Sequence, residues 1–252
     1  MDKYAIVTGA SAGFGEAIAK VLAEEKYNLI LVARRGDRLE ELKNTLASKQ
    51  IKVLVATLDV RNAEDIHDWI EGLEDKVKNN LSILVNNAGL AVGRSGFQDG
   101  LLEDWERMID TNVKGLLYMT RETLPFLMKN EGSMVINITS IAAKEAYAGG
   151  NVYCATKAAV DQLSKSMRMD LVHHKVRVST IAPGAAETEF SLVRFKGDKE
   201  TSKQVYQGFD PLQAEDIAEA VRFIVTRPSR VSIHDLVIMP TAQASTTLFH
   251  KD

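Results

Sequence analysis

Tyr153 and Lys157 stand four residues apart, a spacing that on a helix puts both side chains on one face. A free tyrosine has a pKa of about 10 and is a poor base at neutral pH. A neighbouring lysine ammonium favours the phenolate and lowers that pKa. Tyr153 then gives a proton to, or takes one from, the oxygen of a carbonyl or an alcohol. Taken alone, such a pair is also common on helix surfaces.

Ser140 and Asn112 add two polar groups to this pair. Ser140 ends an apolar run that predicts a strand, and its hydroxyl can hydrogen-bond the same substrate oxygen. A serine in that place is also typical of an ordinary turn. Asn112 lies in a long helical pattern and can order a water molecule behind Lys157. The four residues together predict acid–base chemistry at one oxygen atom.

Glycines spaced G-x-x-x-G-x-G follow the first predicted strand and lead directly into a helix, in the segment TGASAGFG. Glycine lets the backbone turn sharply and approach a phosphate. The free amides at a helix N-terminus attract an anion. The alternative is a turn that binds no ligand. The residues predicted to cradle a pyrophosphate are Gly9, Ser11, Gly13, Phe14 and Gly15.

Arg34 and Arg35 follow the second predicted strand, where a protein that binds NAD usually carries an acidic residue. Arginines suit a 2′-phosphate instead, so the pattern predicts NADP(H). A solvated basic turn is the alternative. Asp59 and Val60 follow the third strand, where Asp59 is placed to hold the adenine amine. Asp59 could otherwise cap the helix that begins near Asn62.

Short apolar runs alternate with helical patterns along the whole chain, which predicts an α/β fold: a doubly wound, seven-stranded parallel sheet of the Rossmann type, with helices on both faces. Ligands bind such sheets beyond the carboxyl ends of the strands. The predicted strands are 4–8, 28–33, 52–57, 82–86, 133–138, 176–181 and 235–238. The predicted helices are 14–25, 37–48 (capped by Asp37), 62–78 (capped by Asn62), 102–128, 152–173 and 214–225.

The composition fits a single domain over residues 1–252 and excludes several classes of protein. A net charge of −3 gives no basic face for nucleic acid. Neither a membrane-spanning run nor a signal peptide is expected. One cysteine and histidines without metal-ligand spacing predict neither a disulfide nor a metal site. We therefore expect a cytoplasmic protein. The polar stretch 184–209 is predicted to form a lid over the site.

Taken together, these motifs resemble the short-chain dehydrogenase/reductase family, in its NADP-preferring branch, over nearly the whole chain. The motifs that carry the resemblance are TGASAGFG (8–15), NNAG (86–89), Asn112, Ser140, YCATK (153–157) and Pro183-Gly184. The resemblance implies hydride transfer with a catalytic tetrad of Asn112, Ser140, Tyr153 and Lys157. It implies that Tyr153 and Lys157 also contact the cofactor, with Lys157 on the nicotinamide ribose. The further cofactor-lining residues that it implies are Asn86, Ala88, Gly89, Pro183, Gly184 and Thr188.

A narrower resemblance to NADP-dependent 3-hydroxy acid dehydrogenases and sulfoacetaldehyde reductases rests on GGNVY (149–153), ETEFSLVRFKGD (187–198), Val205-Tyr206 and residues 215–220. It implies a small anionic substrate and a homotetramer. We expect Arg194 and Tyr147 to hold the anion, with Ser140 and Tyr153 on the reacting oxygen. The alternatives are a neutral carbonyl substrate and a non-catalytic NADP-binding protein. The tail 241–252 is expected to dock on a neighbouring subunit through its Leu-Phe pair.

Overall fold

The architecture comes from a computed structural model that describes residues 3–252. Over these residues, seven strands form one sheet in the order β3-β2-β1-β4-β5-β6-β7, and every neighbouring pair is parallel. The predicted fold class is confirmed. The strands are β1 Tyr4–Thr8, β2 Asn28–Ala33, β3 Val53–Thr57, β4 Leu81–Asn86, β5 Met134–Ile138, β6 Arg177–Pro183 and β7 Asp235–Ile238.

Helices cover both faces of the sheet, which is why the central strands read as unbroken apolar runs. Alternate residues of β1 show this: Ala5 and Val7 pack in one core cluster, Tyr4 and Ile6 in the other. The helices are α1 Gly13–Glu24, α2 Gly36–Leu46, α3 Ala63–Glu71, α4 Asp75–Lys78, α5 Leu102–Ile109, α6 Gly115–Leu127, α7 Asn151–Leu171, α8 Glu189–Arg194, α9 Lys199–Gln204 and α10 Ala214–Val225.

The chain builds the sheet outward from β1 in one direction and then returns to β1 to build it in the other. β1 is therefore flanked by β2 and β4, and the two crossovers leave a cleft at its carboxyl end. Thr8 closes this junction, since its hydroxyl donates to the carbonyl of Val85 (3.2 Å) and accepts from the amides of Asn87 and Ala88 (3.0 Å each).

Two predicted helix boundaries are wrong. The helix after β2 begins at Gly36, and Asp37 lies inside it without capping it; Arg35 takes the cap position with no side-chain hydrogen bond. Asn62 does cap α3, as predicted, by accepting from the amides of Glu64 and Asp65. That helix ends at Glu71 rather than near residue 78, and residues 75–78 form the separate short helix α4.

The predicted helix over 102–128 is interrupted by a π-helical turn, Asp110–Lys114, between α5 and α6. An extra residue in the turn breaks the regular hydrogen-bond ladder, and such turns are frequent at functional sites. The turn contains Asn112, one of the predicted tetrad.

The predicted lid, residues 184–209, contains α8 and α9, and residues of both helices line the cavity beside the strand ends. The tail 241–252 packs on its own chain: the Phe249 ring lies 5.1 Å from the Phe209 ring, and the amide of Asp252 donates to Gly208. These contacts lie within one chain and Leu248 is 63% exposed, so docking of the Leu-Phe pair on a neighbouring subunit stays a prediction. Among residues 3–252, no helix has the length and apolarity that crossing a bilayer requires.

Candidate active site

A cavity of about 990 Å³ opens at the carboxyl edge of the sheet, between the strand ends and the lid. Most of the residues predicted for cofactor and substrate line it. On the cofactor side these are Gly9, Ser11, Gly13, Phe14, Arg34, Arg35, Asp59, Val60, Ala88, Gly89, Pro183, Gly184 and Thr188. On the reacting side they are Ser140, Tyr147, Tyr153, Lys157 and Arg194.

The glycine loop has the backbone shape that its sequence predicts. Gly9 and Gly13 both have positive φ (66° and 53°), a region that residues with a Cβ rarely adopt. A Cβ on Gly9 would lie 2.9 Å from Nδ2 of Asn87, so this position is also too tight for alanine. The start of α1 carries no side-chain cap, which leaves its first amides available to an anion.

Arg35 is held beside this loop. Its Nε donates to the Ser11 hydroxyl (3.2 Å), and one of its terminal nitrogens pairs with the lid carboxylate of Glu189 (2.9 Å). Arg38 pairs with the other oxygen of Glu189 (2.7 Å). Arg34 is exposed and also lines the cavity. The end of β2 is therefore a cationic wall, as predicted.

Asp59 lines the cavity with its carboxylate held by Arg61, whose Nε lies 3.0 Å from both oxygens. The hydrogen bond from Arg61 lowers the pKa of Asp59, so this acid is ionised at neutral pH. Its backbone carbonyl accepts from the amide of Asn62 (3.0 Å). This is a backbone contact only: Asn62 rather than Asp59 caps α3, and the Asp59 side chain lies at the cavity wall.

Tyr153 and Lys157 are brought together on α7 and are both buried, at 8% and 6% exposure. Burial raises the pKa of Tyr153 above its usual value, and a hydrogen bond with Ser140 opposes that rise. Burial lowers the pKa of Lys157 to about 8. The ammonium donates to the carbonyl of Ile138 (3.0 Å) and lies 6.0 Å from the centre of the Tyr153 ring. The Tyr153 phenol is thus protonated at neutral pH, and the Lys157 ammonium loses its proton near pH 8.

Ser140 is positioned by the loop after β5. Its hydroxyl accepts from the amide of Ala142 (3.1 Å), which caps a short 3-10 turn and turns the oxygen toward Tyr153. Lys144, four residues on, bridges Asp161 of α7 and Asp235 of β7 (2.6 Å each). This bridge ties the Ser140 loop to the helix that carries the tyrosine.

Asn112 is buried beside the site rather than at its surface. Its amide group exchanges hydrogen bonds with the backbone of Leu90 (2.8 Å each way) and donates to Thr156 (3.0 Å). Its neighbour Thr111 lines the cavity. Asn112 therefore joins the π-helical turn to the segment after β4 and to α7, and its role in ordering a water stays a prediction.

The substrate pair predicted from sequence meets in the structure. A terminal nitrogen of Arg194 donates to the Tyr147 hydroxyl (2.8 Å), and the guanidinium carbon lies 5.6 Å from the centre of the Tyr153 ring. The Nε of Arg194 is buried without a hydrogen-bond partner among the described residues. Phe190 of the lid packs on Tyr153, with ring centres 5.7 Å apart. Arg194 therefore stands next to the reacting group with donor capacity to spare.

Two predicted cofactor residues do not line the cavity. The side chain of Asn86 is buried in the sheet, where it donates to Thr120 and Asn137 (2.9 Å each). Asn87 lines the cavity instead. Because successive side chains of a strand point to opposite sides, a shift of one residue exchanges the two roles. Gly15 packs against the glycine loop instead, where a Cβ would collide with the carbonyl of Gly9.

The end of the chain supplies cavity-lining residues that the sequence motifs do not indicate. Phe209, Phe249 and Lys251 line the cavity, and the Lys251 ammonium lies 5.6 Å from the centre of the Phe209 ring. Gln243 fixes this segment by accepting from the amide of Ala185 (2.7 Å). The Leu-Phe pair in a polar tail was the available signal. It predicted that the tail docks on a neighbouring subunit, and it gave no indication that Phe249 lines the cavity.

The family model of the short chain dehydrogenases matches residues 3–199. The chain belongs to the short chain dehydrogenase family. It is 46% identical over 240 residues to an NADP-dependent 3-hydroxy acid dehydrogenase of Salmonella typhi, covering 95% of both chains. It is 43% identical to sulfoacetaldehyde reductase 2 of Chromohalobacter salexigens, covering 97% of this chain and 96% of the relative. The closed form of a serine dehydrogenase complexed with NADP+ superposes with a TM-score of 0.92 at 45% identity, covering 99% of this chain and 100% of that one.

Family membership confirms the resemblance drawn from the motifs, and with it an oxidoreductase. The motif residues of this short chain dehydrogenase converge on one cavity: the glycine loop, the Ser140–Tyr153–Lys157 cluster and the lid. The arrangement offers an anion-binding loop at one end, a proton donor in the middle and an arginine beyond it.

Proposed function

We propose that this enzyme interconverts a small hydroxy acid, or hydroxy sulfonate, and the corresponding aldehyde or ketone, with NADP(H) as its cofactor. The observation that carries the proposal is Arg194 bonded to Tyr147 beside the Tyr153 ring, with its buried Nε unpartnered among residues 3–252. A buried cationic donor without a partner is costly unless a ligand satisfies it. An anionic group of the substrate fits that requirement.

The cofactor proposal rests on the cradle and the cationic wall. Gly9 and Gly13 keep the backbone open to a pyrophosphate, and the uncapped start of α1 offers amides to it. Arg34 and Arg35 stand where an NAD enzyme carries an acid, so a 2′-phosphate is favoured. When bound, the nicotinamide supplies or accepts the hydride.

Tyr153 is the proton donor in the direction of reduction. Its raised pKa keeps the phenol protonated, so it can deliver a proton to the carbonyl oxygen as negative charge develops there. Ser140 holds that oxygen with its hydroxyl. The Lys157 ammonium stabilises the phenolate that remains, and its charge makes the reverse proton transfer feasible in the direction of oxidation. Asn112 links Leu90, after β4, to Thr156 of α7 and so positions the helix that carries Tyr153 and Lys157.

Arg194 and Tyr147 orient the other end of the substrate. A guanidinium binds a carboxylate or sulfonate through charge-assisted hydrogen bonds and fixes its plane. With the anion held there and the carbonyl oxygen on Ser140 and Tyr153, the reacting carbon is presented in one orientation.

The test is NADPH oxidation by the purified enzyme, followed by absorbance, with malonic semialdehyde, sulfoacetaldehyde and a neutral aldehyde of similar size. Faster turnover of an acidic aldehyde supports the proposal and identifies the preferred anion. Turnover of the neutral aldehyde alone refutes the role of Arg194 in substrate binding, while the assignment as an oxidoreductase still holds. If the protein binds NADPH and oxidises it with none of the three, the proposed reaction is wrong. A parallel series with NADH tests the cofactor preference.

We propose further that residues 1–252 act as a single catalytic domain in the cytoplasm, and that the enzyme assembles as a homotetramer. Large apolar side chains are exposed near α5, with Phe97 at 68%, Leu101 at 57% and Leu102 at 69% exposure. Such a patch favours burial between subunits. Light scattering coupled to gel filtration measures the assembly, and a monomer would refute it.

A further inference from the structure

Arg94 is exposed and lines the same cavity as Arg194, the arginine assigned to the substrate. The amide of the preceding residue, Gly93, donates to the carbonyl of Arg194 (2.9 Å), so the two arginine-bearing segments are joined by their backbones. The stem of Arg94 rests on Gly149, which has a positive φ of 75°. A Cβ at Gly149 would lie 2.6 Å from the Arg94 carbonyl and 3.0 Å from its Cγ, so this contact is close.

Tyr147 lines the same cavity as both arginines and accepts the hydrogen bond from Arg194. Burial raises the pKa of the Tyr147 phenol, while the positive charges of Arg194 and Arg94 both act to lower it. Both guanidinium groups therefore contribute to the electrostatic potential at this hydroxyl. Arg94 has no ion pair or side-chain hydrogen bond with any residue in the described range 3–252. Its charge is therefore available to a ligand.

The acidic groups of the cavity wall, Asp59 and Glu189, are already paired with other arginines. Asp59 is paired with Arg61, and Glu189 with Arg35 at the cofactor loop. A substrate with one negative charge satisfies Arg194 and leaves the Arg94 charge uncompensated. A terminal group with two negative charges compensates both, and arginine suits its geometry through paired hydrogen bonds.

We propose that Arg94 and Arg194 form a two-cation subsite near Tyr147, which favours substrates whose terminal anionic group carries two negative charges. The inference rests on the proposed function and defines its substrate class more narrowly. A phosphonate or phosphate group has the required charge, whereas a sulfonate or single carboxylate does not.

Sulfoacetaldehyde and phosphonoacetaldehyde make a matched pair of probes, because both are two-carbon aldehydes with a tetrahedral anionic end. The assay is run at about pH 8, above the second pKa of about 6 that a phosphoryl group has. We expect a larger kcat/KM for phosphonoacetaldehyde with NADPH. Arg94→Met, which keeps the stem and removes the charge, should reduce the phosphonate-to-sulfonate ratio of kcat/KM about fivefold, the upper end for a solvent-exposed ion pair.

Lys203→Met is the control, because Lys203 is an exposed lid lysine outside the cavity wall. It should leave the ratio unchanged, and Arg94→Lys should restore most of it. An unchanged ratio in Arg94→Met, or an equal fall in Lys203→Met, overturns the subsite.

Calorimetric binding of 2-hydroxyethylphosphonate and isethionate to the enzyme with NADP+ measures the same preference without turnover. Failure of all aldehydes in the rate assay would refute the proposed reaction, while this binding comparison would still decide the subsite. Equal affinities for the two compounds overturn it.

Discussion

Replacing Arg194 by methionine should separate anionic from neutral substrates. The aliphatic stem that packs near Tyr153 and Tyr147 is kept, while the charge, the 2.8 Å hydrogen bond to Tyr147 and the unpartnered Nε are removed. The variant therefore loses the contacts to the substrate anion and little of the packing.

The expected size follows from the contacts that are lost. A hydrogen bond to a charged group contributes about 1.5–3 kcal/mol, which corresponds to roughly a ten- to hundredfold change in affinity. We expect KM for the best acidic aldehyde to rise by that factor. KM for a neutral aldehyde should change less than about threefold, because no charge is paired in that complex.

Steady-state kinetics at saturating NADPH measure both values, and NADPH fluorescence checks that cofactor affinity is unchanged. Tyr147→Phe is the matched control, because it removes the hydroxyl partner of Arg194 and keeps the guanidinium. It should raise KM for the acidic aldehyde by only about two- to tenfold, the range for a neutral hydrogen bond. If Arg194→Met leaves the ratio of acidic to neutral KM unchanged, Arg194 does not bind the substrate anion.

Three further predictions concern the cofactor, the proton and the fold. Arg35→Ala should raise KM for NADPH about tenfold or more and leave KM for NADH unchanged, since only the former carries a 2′-phosphate; equal effects would contradict this. Burial lowers the pKa of Lys157 to about 8, so kcat/KM for NADPH should fall as the pH rises through that value and the ammonium is lost. A kcat/KM that stays constant over this pH range would exclude a role of the Lys157 charge in proton transfer. Lys144→Met should lower the free energy of unfolding in urea by about 1–3 kcal/mol, because it leaves the buried Asp161 without its less exposed partner. Lys165→Met removes an exposed partner of the same acid and should lower that free energy by less than about 1 kcal/mol. Equal losses in the two variants would refute the difference.

The architecture and most of the cavity wall were predictable from sequence because they depend on local patterns. Apolar runs of strand length alternate with helical periodicity, and the parallel sheet then places every strand exit at one edge. The positions of Gly9, Arg35 and Ser140 follow from that rule alone.

The features that the sequence did not predict depend on individual side-chain orientations or on contacts between residues far apart in the chain. Asn86 and Asn87 are adjacent, and the sequence does not tell which of them points into the sheet and which into the cavity. The π-helical turn around Asn112 depends on its bonds to Leu90 and Thr156, 22 and 44 residues away. The position of Phe249 depends on Phe209, to which no local pattern connects it.

The junction between β1 and β4 has a consequence for folding. The strands pair although they lie 77 positions apart, as in the contact between Thr8 and Val85, and the same junction lies under the cavity. Contacts of such long range form slowly, because closing the intervening chain loses conformational entropy before the strand pairing contributes any stabilisation. The cavity therefore exists only after the two halves of the sheet have joined. Recovery of ligand binding during refolding should accordingly report this joining step, later than the recovery of helical circular dichroism.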